Sequence, residues 1–266
     1  MMKRYGQWAL VTGATSGIGR ALARQLAAQG MNVVAVARTQ GRLDELATEL
    51  RAKPGVEVRA LALDVSTRQG IEALIAAVAD LEIGVLIPCA AFESKGYFVE
   101  TSQQSHEQLL DMDCYGPMRL AHHFGGLMAT RRKGAILFVS SLSGWAGQPY
   151  MAHYGAAKAY VLSLGEALHH EMKDKGVDVT VLSPGWTDTP MSAGTGIDFA
   201  SMGMAVMQPE DVASAGLARL GRGQNAVPGF RNQLMVLMMT RWTPRAWLGA
   251  MFRMMMKRAG AVPAPA

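Results

Sequence analysis

The chain has 266 residues, half of them apolar, which suits one large α/β domain with a full hydrophobic core. Its net charge of +5 comes from residues 231–266, which hold six basic side chains and no acidic ones, while the rest of the chain has 20 basic and 21 acidic residues. This distribution excludes the basic stripe of a nucleic-acid-binding protein. The two cysteines and six histidines show no metal-binding or disulfide spacing, and no signal peptide is recognisable, so we expect a cytoplasmic protein without a metal.

Buried strands and amphipathic helices alternate along most of the chain. Apolar runs predict strands at residues 7–11, 31–37, 56–63, 83–87, 135–139 and 177–182, with a short last strand at 227–229. Helical periodicity fills the intervals, for example at 40–51 and 67–80. This alternation is typical of an α/β, doubly wound parallel sheet, the Rossmann fold. We expect a single such domain over residues 1–230, followed by a basic, Met-rich helical tail over 231–266.

A glycine-rich turn follows the first predicted strand and opens a helix. Such a turn lets backbone amides and the helix N-terminus approach the pyrophosphate of a dinucleotide, whereas a purely structural turn is the alternative. The predicted cofactor-binding residues of this turn are Gly13, Thr15, Ser16, Gly17, Ile18 and Gly19.

The end of the second predicted strand indicates which dinucleotide binds. Proteins that bind NAD place an acidic residue there for the ribose 2′-hydroxyl, but this chain has Ala37 and Arg38. A guanidinium can pair with a 2′-phosphate, so we predict NADP(H). In the alternative interpretation Arg38 stacks on adenine or faces solvent. Arg42 could be a second phosphate contact or a solvated charge.

Three polar residues surround the start of the helix after the fifth predicted strand. Tyr154 and Lys158 are four residues apart and therefore share a helix face, and Ser141 leaves the preceding strand. An ammonium beside a phenol favours phenolate, so we expect Lys158 to lower the pKa of Tyr154 below its ordinary value of about 10. Taken alone, the pair could also be a solvated surface pair.

The spacing of Ser141, Tyr154 and Lys158, together with the glycine turn, resembles the short-chain dehydrogenase/reductase family over roughly residues 5–230. The resemblance implies that Tyr154 transfers the proton, Lys158 holds the cofactor ribose, and Ser141 positions the reacting oxygen. It also implies a homodimer or homotetramer and further cofactor contacts at other strand ends, namely Asp64, Val65, Ala90, Pro184, Gly185, Thr187 and Thr189.

Two stretches depart from the family pattern. Pro88-Cys89-Ala90-Ala91 replaces the usual Asn-Asn-Ala-Gly, which bears on rigidity more than on chemistry, and Cys89 is expected to be a small buried apolar residue. Asp113 aligns with the Asn that completes the family's proton relay, so we count it among the catalytic residues. An ionised Asp113 near Lys158 would weaken the effect of Lys158 on the Tyr154 pKa, whereas a protonated Asp113 could act as Asn does. The alternative is an Asp in an ordinary helix.

These observations predict an NADP(H)-dependent oxidoreductase that reduces a ketone or aldehyde. Residues 191–207 are expected to close over a lipid-like, steroid-like or aromatic carbonyl substrate. The apolar pocket is expected to be lined by Phe92, Trp145, Tyr150, Met151, Met191 and Met202. The alternatives are a dinucleotide-binding regulator with low turnover and a scaffold at a membrane surface.

The tail supports two interpretations. After Pro244, apolar residues recur at helical spacing, and basic residues lie on another face; the apolar positions are Trp247, Leu248, Met251, Phe252 and Met255. Such a helix can lie on an anionic membrane surface, which would make the protein peripheral to the membrane. Otherwise its Met-rich face packs on the body, on the segment over the substrate or on a second subunit.

Overall fold

The computed structural model describes residues 2–197 and 205–260. Within them lies a parallel sheet whose spatial order is β3-β2-β1-β4-β5-β6-β7. The order reverses at β1, as it does in doubly wound sheets, so the predicted fold is confirmed. The strands are β1 (Trp8–Thr12), β2 (Asn32–Ala37), β3 (Val58–Ala62), β4 (Ile83–Ile87), β5 (Gly134–Val139), β6 (Val177–Leu182) and β7 (Asn225–Ala226).

Helices connect the strands and cover the sheet. In chain order they are α1 (Gly17–Ala28), α2 (Gln40–Arg51), α3 (Arg68–Ala77), α4 (Gln103–Leu110), α5 (Gly116–Thr130), α6 (Ala152–Glu171), α7 (Pro190–Gly194), α8 (Pro209–Arg219), α9 (Phe230–Leu237) and α10 (Arg245–Arg258). Two π-helical turns, Asp111–Tyr115 and Met238–Trp242, follow α4 and α9. π-Helical turns are rare and frequently occur at functional sites.

The sheet is buried between two helical layers. One face packs against α1, α2 and α8, where Leu22 and Val212 are fully buried. The other face packs against α3, α5 and α6, where Leu74 and Val161 are buried. Because the central strands have no solvent-facing side, they consist almost entirely of apolar residues. All seven strands run in one direction, so their carboxyl ends lie along one edge of the sheet.

One predicted strand was displaced. The last strand is Asn225–Ala226 and not residues 227–229. It pairs with β6, because the amides of Val181 and Ser183 donate to the carbonyls of Gln224 and Ala226. Pro228 has no amide hydrogen with which to join a sheet. Of the segment expected to close over the substrate, residues 190–194 form α7, and residues 198–204 lie outside the described part.

The tail folds back onto the body of the protein. Leu248 and Phe252 of α10 are buried with Met239 against Trp145, and Met256 is buried against residues at the start of α6. The contacts agree with the interpretation in which the tail packs on the body. The predicted apolar face of the tail helix was only partly correct, because Trp247 is 71% exposed and Met251 is 39% exposed.

Candidate active site

The turn between β1 and α1 is shaped by glycines. Gly13 and Gly17 have φ values of 67° and 49°, in the left-handed region that favours glycine. A Cβ on Gly13 would lie 3.0 Å from the backbone of Ala90, and a Cβ on Gly19 would collide with the Gly13 carbonyl. Ser16 makes no side-chain cap bond to a described residue, which leaves amides in the first turn of α1 for a ligand. The turn therefore fits a diphosphate, and Thr15 and Ile18 line the same cavity.

The ends of β2 and β3 continue this cavity. Arg38 and Arg42 line it beyond β2, and Arg38 forms no ion pair with a described residue. Asp64 and Val65 line it beyond β3, and Oδ1 of Asp64 accepts hydrogen bonds from the amide and hydroxyl of Ser66 at 3.0 and 2.7 Å. Thr67 caps α3, since its side chain accepts a hydrogen bond from the Gly70 amide. Two guanidinium groups without a facing carboxylate fit a 2′-phosphate better than a ribose 2′-hydroxyl.

Beyond β4, a single hydroxyl joins neighbouring strands. The Thr12 hydroxyl accepts hydrogen bonds from the amides of Cys89 and Ala90, both at 3.0 Å. This contact ties the two strand ends together where the sequence lacks the Asn pair of the family. Burial raises the pKa of the Cys89 thiol to about 12, which agrees with a small apolar role for that residue.

Ser141, Tyr154 and Lys158 line one wall of the same cavity. Nζ of Lys158 lies 5.5 Å from the centre of the Tyr154 ring and donates to the Val139 carbonyl at 3.3 Å. The Ser141 hydroxyl accepts a hydrogen bond from the Ser143 amide at 3.2 Å. Tyr154 and Lys158 are 9% and 4% exposed, so they are not the solvated surface pair considered above.

Asp113 lies completely buried on the π-helical turn Asp111–Tyr115. Its Oδ2 is 3.0 Å from Nζ of Lys158, and its Oδ1 accepts a hydrogen bond from the Phe92 amide at 2.7 Å. The carboxyl group therefore links the loop after β4 to α6 through Lys158. This environment excludes the alternative of an Asp in an ordinary, solvated helix.

Burial and charge act together on the pKa values of this cluster. Burial lowers the pKa of Lys158, but the Asp113 carboxylate and Tyr154 outweigh it, so this pKa is raised and the ammonium form persists. Burial raises the pKa of Asp113, and Lys158 opposes that rise. Burial also raises the pKa of Tyr154 to about 12, against the effect of Lys158, and Glu93 and Asp113 add to the rise. The prediction of a lowered Tyr154 pKa was therefore wrong.

The segment after β6 closes the far end of the cavity. Pro184, Gly185, Thr187 and Thr189 all line it. The Thr187 hydroxyl donates to the Gly185 carbonyl at 3.1 Å, and Thr189 caps α7 through the Ser192 amide at 3.2 Å. The Thr189 hydroxyl thus already has partners within the chain, and the backbone on both sides of Thr187 is hydrogen-bonded to Met207, through the Asp188 amide and the Trp186 carbonyl, both at 2.9 Å.

The substrate end of the cavity differs from the predicted one. Met151 and Met191 line it, but Phe92, Trp145 and Tyr150 do not, because they pack into neighbouring clusters. Met202 lies outside the described residues. Four apolar residues of the tail also line the cavity: Met235, Met239, Phe252 and Met255. Residues 235 and 239, and residues 252 and 255, are spaced so that each pair shares a helix face. This spacing is the sequence pattern from which they could have been predicted.

Several polar residues of the cavity were not predicted, among them Glu93, which follows β4, and Gln148, which precedes α6. Neither belongs to the motifs on which the resemblance rests, so only the fold places them at the site.

Comparison with known proteins agrees with this geometry. The family described as "short chain dehydrogenase" matches residues 7–198. A 7beta-hydroxysteroid dehydrogenase of Clostridium sardiniense is 36% identical over 231 residues, which are 87% of this chain and 88% of the relative. A solved structure described as giving insights into 7beta-hydroxysteroid dehydrogenase stereoselectivity has a TM-score of 0.87 at 32% identity, covering 95% of this chain and 98% of the other.

A second solved structure bears on the cofactor. The short-chain dehydrogenase of Sphingobium yanoikuyae in complex with NADPH has a TM-score of 0.79 at 31% identity, covering 97% of this chain and 98% of that one. The chain belongs to the short-chain dehydrogenase/reductase family. It is an NADP-dependent oxidoreductase.

The Asp113–Lys158 contact yields a prediction for the pH dependence. Asp113→Asn keeps an acceptor for the Phe92 amide but removes the negative charge that raises the Tyr154 pKa. We expect the alkaline limb of the pH profile of kcat/KM for carbonyl reduction to move to lower pH by about one unit. NADPH affinity, measured by fluorescence titration, should stay nearly constant.

Asp111→Asn is the matched control, because Asp111 lies on the same turn and pairs with Arg68 at 3.2 Å at the surface. This variant should keep the wild-type profile. If the pH profile of kcat/KM in Asp113→Asn equals that of wild type, Asp113 does not influence the Tyr154 pKa.

Proposed function

We propose that this enzyme reduces a bulky, apolar ketone or aldehyde to an alcohol with NADPH. The observation that carries the proposal is the buried Tyr154 phenol, which lines a cavity of about 370 Å³ together with Ser141 and Lys158. With a pKa of about 12, the phenol is protonated at neutral pH and is ready to donate in the reducing direction.

The polar residues of the site have separate roles in the proton transfer. NADPH supplies the hydride when bound. Tyr154 donates its proton to the carbonyl oxygen as negative charge develops there, and Ser141 donates a hydrogen bond to that oxygen. Lys158 stabilises the resulting phenolate and would also hold the cofactor ribose, while Asp113 fixes the ammonium at 3.0 Å.

The wall from the tail supports the substrate class. Met235, Met239, Phe252 and Met255 offer apolar, deformable contact area. The relatives named 7beta-hydroxysteroid dehydrogenase support a substrate of steroid-like size and polarity, although aromatic and lipid-like carbonyls fit the same chemistry.

A panel of carbonyl compounds tests this function. It contains a steroid ketone, an aromatic ketone, a long-chain ketone and a small polar ketone, each assayed with NADPH. We expect kcat/KM to be highest for a bulky apolar member and to fall by about 10²–10⁴-fold in Tyr154→Phe, which removes the acid. Tyr160→Phe, on the same helix and 41% exposed, is the control and should keep full activity.

The panel also discriminates against the alternative function. Tight NADPH binding without turnover of any member would contradict the proposal and favour a dinucleotide-binding regulator.

We also propose that Arg38 selects NADPH over NADH. Losing a hydrogen-bonded charge on the 2′-phosphate should raise KM for NADPH by about 10-fold or more in Arg38→Ala. KM for NADH should change little, because NADH has no such phosphate. Lys53→Ala, at an exposed position near the end of α2, is the control. An equal rise in both KM values would mean that Arg38 does not read the phosphate.

We also propose that the outer surface of the tail binds an anionic membrane. The described residues contain no helix long and apolar enough to span a membrane. However, Phe230, Trp242 and Trp247 are 78%, 69% and 71% exposed. The same stretch of the chain holds six exposed cations without an ion pair to any described residue: Arg231, Arg241, Arg245, Arg253, Lys257 and Arg258. Exposed indole rings beside unpaired cations favour an anionic lipid surface.

Vesicle sedimentation tests this proposal. We expect more protein to pellet with phosphatidylserine-containing vesicles than with pure phosphatidylcholine vesicles, and less after the double substitution W242S/W247S. Point variants are preferable to removal of the tail, because the tail lines the cavity. Leu127→Ser, an exposed position on α5, is the control. Equal partitioning of the double variant and wild type would contradict membrane contact through this surface.

A further inference from the structure

The loop after β4 holds a carboxyl group at the substrate end of the cavity. The amide of Phe92 donates to the buried Asp113 at 2.7 Å, and Asp113 contacts Lys158 at 3.0 Å. Glu93 is the next residue, so its backbone is positioned by the same buried pair that positions the catalytic lysine. Its side chain lines the cavity together with Tyr154.

The Glu93 carboxyl forms no hydrogen bond or ion pair with any residue in the described ranges. The charged groups that act on it are Lys158 and Lys95, which favour its ionised form, and Asp113, which opposes it. The charge of Glu93 in turn acts on Tyr154, which places the carboxyl in the electrostatic surroundings of the reaction centre. A carboxyl group here has acceptor capacity that the described chain does not use.

Gln148 provides an independent observation of the same kind. Its Oε1 is buried and has no hydrogen-bond partner among the described residues, and the side chain lines the cavity. Its Nε2 contacts only the Met256 sulfur, at 3.9 Å, which is a weak interaction. Buried acceptors are normally paired, so an unpaired amide oxygen in a ligand cavity points to a donor on the ligand.

We propose that Glu93 and Gln148 form a polar subsite that binds a hydroxyl group, or another hydrogen-bond donor, of the substrate apart from the reacting carbonyl. This inference rests on the proposed carbonyl reduction and narrows its substrate class to bulky apolar ketones that also carry a hydroxyl group. A substrate without that donor leaves both acceptors unpaired in an apolar cavity, and such sites discriminate strongly against the analogue that lacks the group.

Two matched substrate sets test the subsite. The first compares benzoin, its O-methyl ether and deoxybenzoin, so that the free hydroxyl next to a bulky aromatic ketone is the variable. The second compares a 7-oxosteroid with a free 3-hydroxyl and its 3-O-methyl ether, in which the hydroxyl is remote from the ketone. In at least one set we expect wild type to prefer the free hydroxyl by about 10-fold or more in kcat/KM.

Substitutions of Glu93 and Gln148 then test whether these residues cause the preference for the free hydroxyl. Glu93→Leu and Gln148→Leu should each reduce this preference, measured as the ratio of kcat/KM between the compounds with and without the free hydroxyl, by about 10-fold. Glu93→Gln should keep part of it, because an amide oxygen still accepts. Glu100→Gln, an exposed position in the same loop, should keep all of it.

Ionisation of Glu93 gives a readout that a merely structural role would not produce. Burial raises the pKa of Glu93 to about 7, so the carboxylate form predominates only above that pH. The wild-type preference for the free hydroxyl should therefore increase as pH rises through about 7. In Glu93→Gln the preference should not change with pH.

The outcomes separate the two proposals. Turnover of all members of each set at equal kcat/KM, or a preference that survives Glu93→Leu and Gln148→Leu, would overturn the subsite and leave carbonyl reduction intact. Failure to reduce any compound in these sets or in the carbonyl panel, with NADPH bound, would overturn the proposed function and the subsite with it.

Discussion

The buried contact between Asp113 and Lys158 is the interaction on which the catalytic geometry depends. One carboxyl group joins three parts of the chain: the π-helical turn that carries it, the loop after β4 through the Phe92 amide, and helix α6 through Lys158. Removing one partner of a buried pair leaves the other charge uncompensated, typically at about 3–5 kcal/mol. The contact therefore positions the ammonium and also fixes the loop that presents Glu93 to the cavity.

The same contact changes the electrostatics of the proton donor. In isolation Lys158 favours phenolate at Tyr154, but burial raises the Tyr154 pKa more than Lys158 lowers it, and the charges of Glu93 and Asp113 add to the rise. The phenol consequently remains a weak acid. A weak acid of this kind is protonated throughout the neutral range, which suits reduction, whereas alcohol oxidation needs a base and is favoured only at higher pH.

The sequence was informative where chemistry follows from local pattern. Apolar runs of strand length predicted the sheet, since a parallel strand covered on both faces must be apolar. The glycine turn and the spacing of Ser141, Tyr154 and Lys158 located the cavity because each group stands at a strand end or on one helix face. The Tyr154 pKa could not be predicted, because it is a balance of burial and three neighbouring charges that meet only in the fold. Glu93 and Gln148 have no diagnostic spacing, and the tail residues enter the cavity only after α9 and α10 fold back.

This folding-back separates two tasks along the chain. The groups proposed to bind the cofactor and to transfer the proton lie between Gly13 and Thr189, whereas residues 235–255 add apolar side chains to the cavity wall. Substitutions in that later stretch can alter which molecules fit without altering the atoms that react. Within this architecture, substrate range can therefore diverge between related proteins faster than the reaction itself.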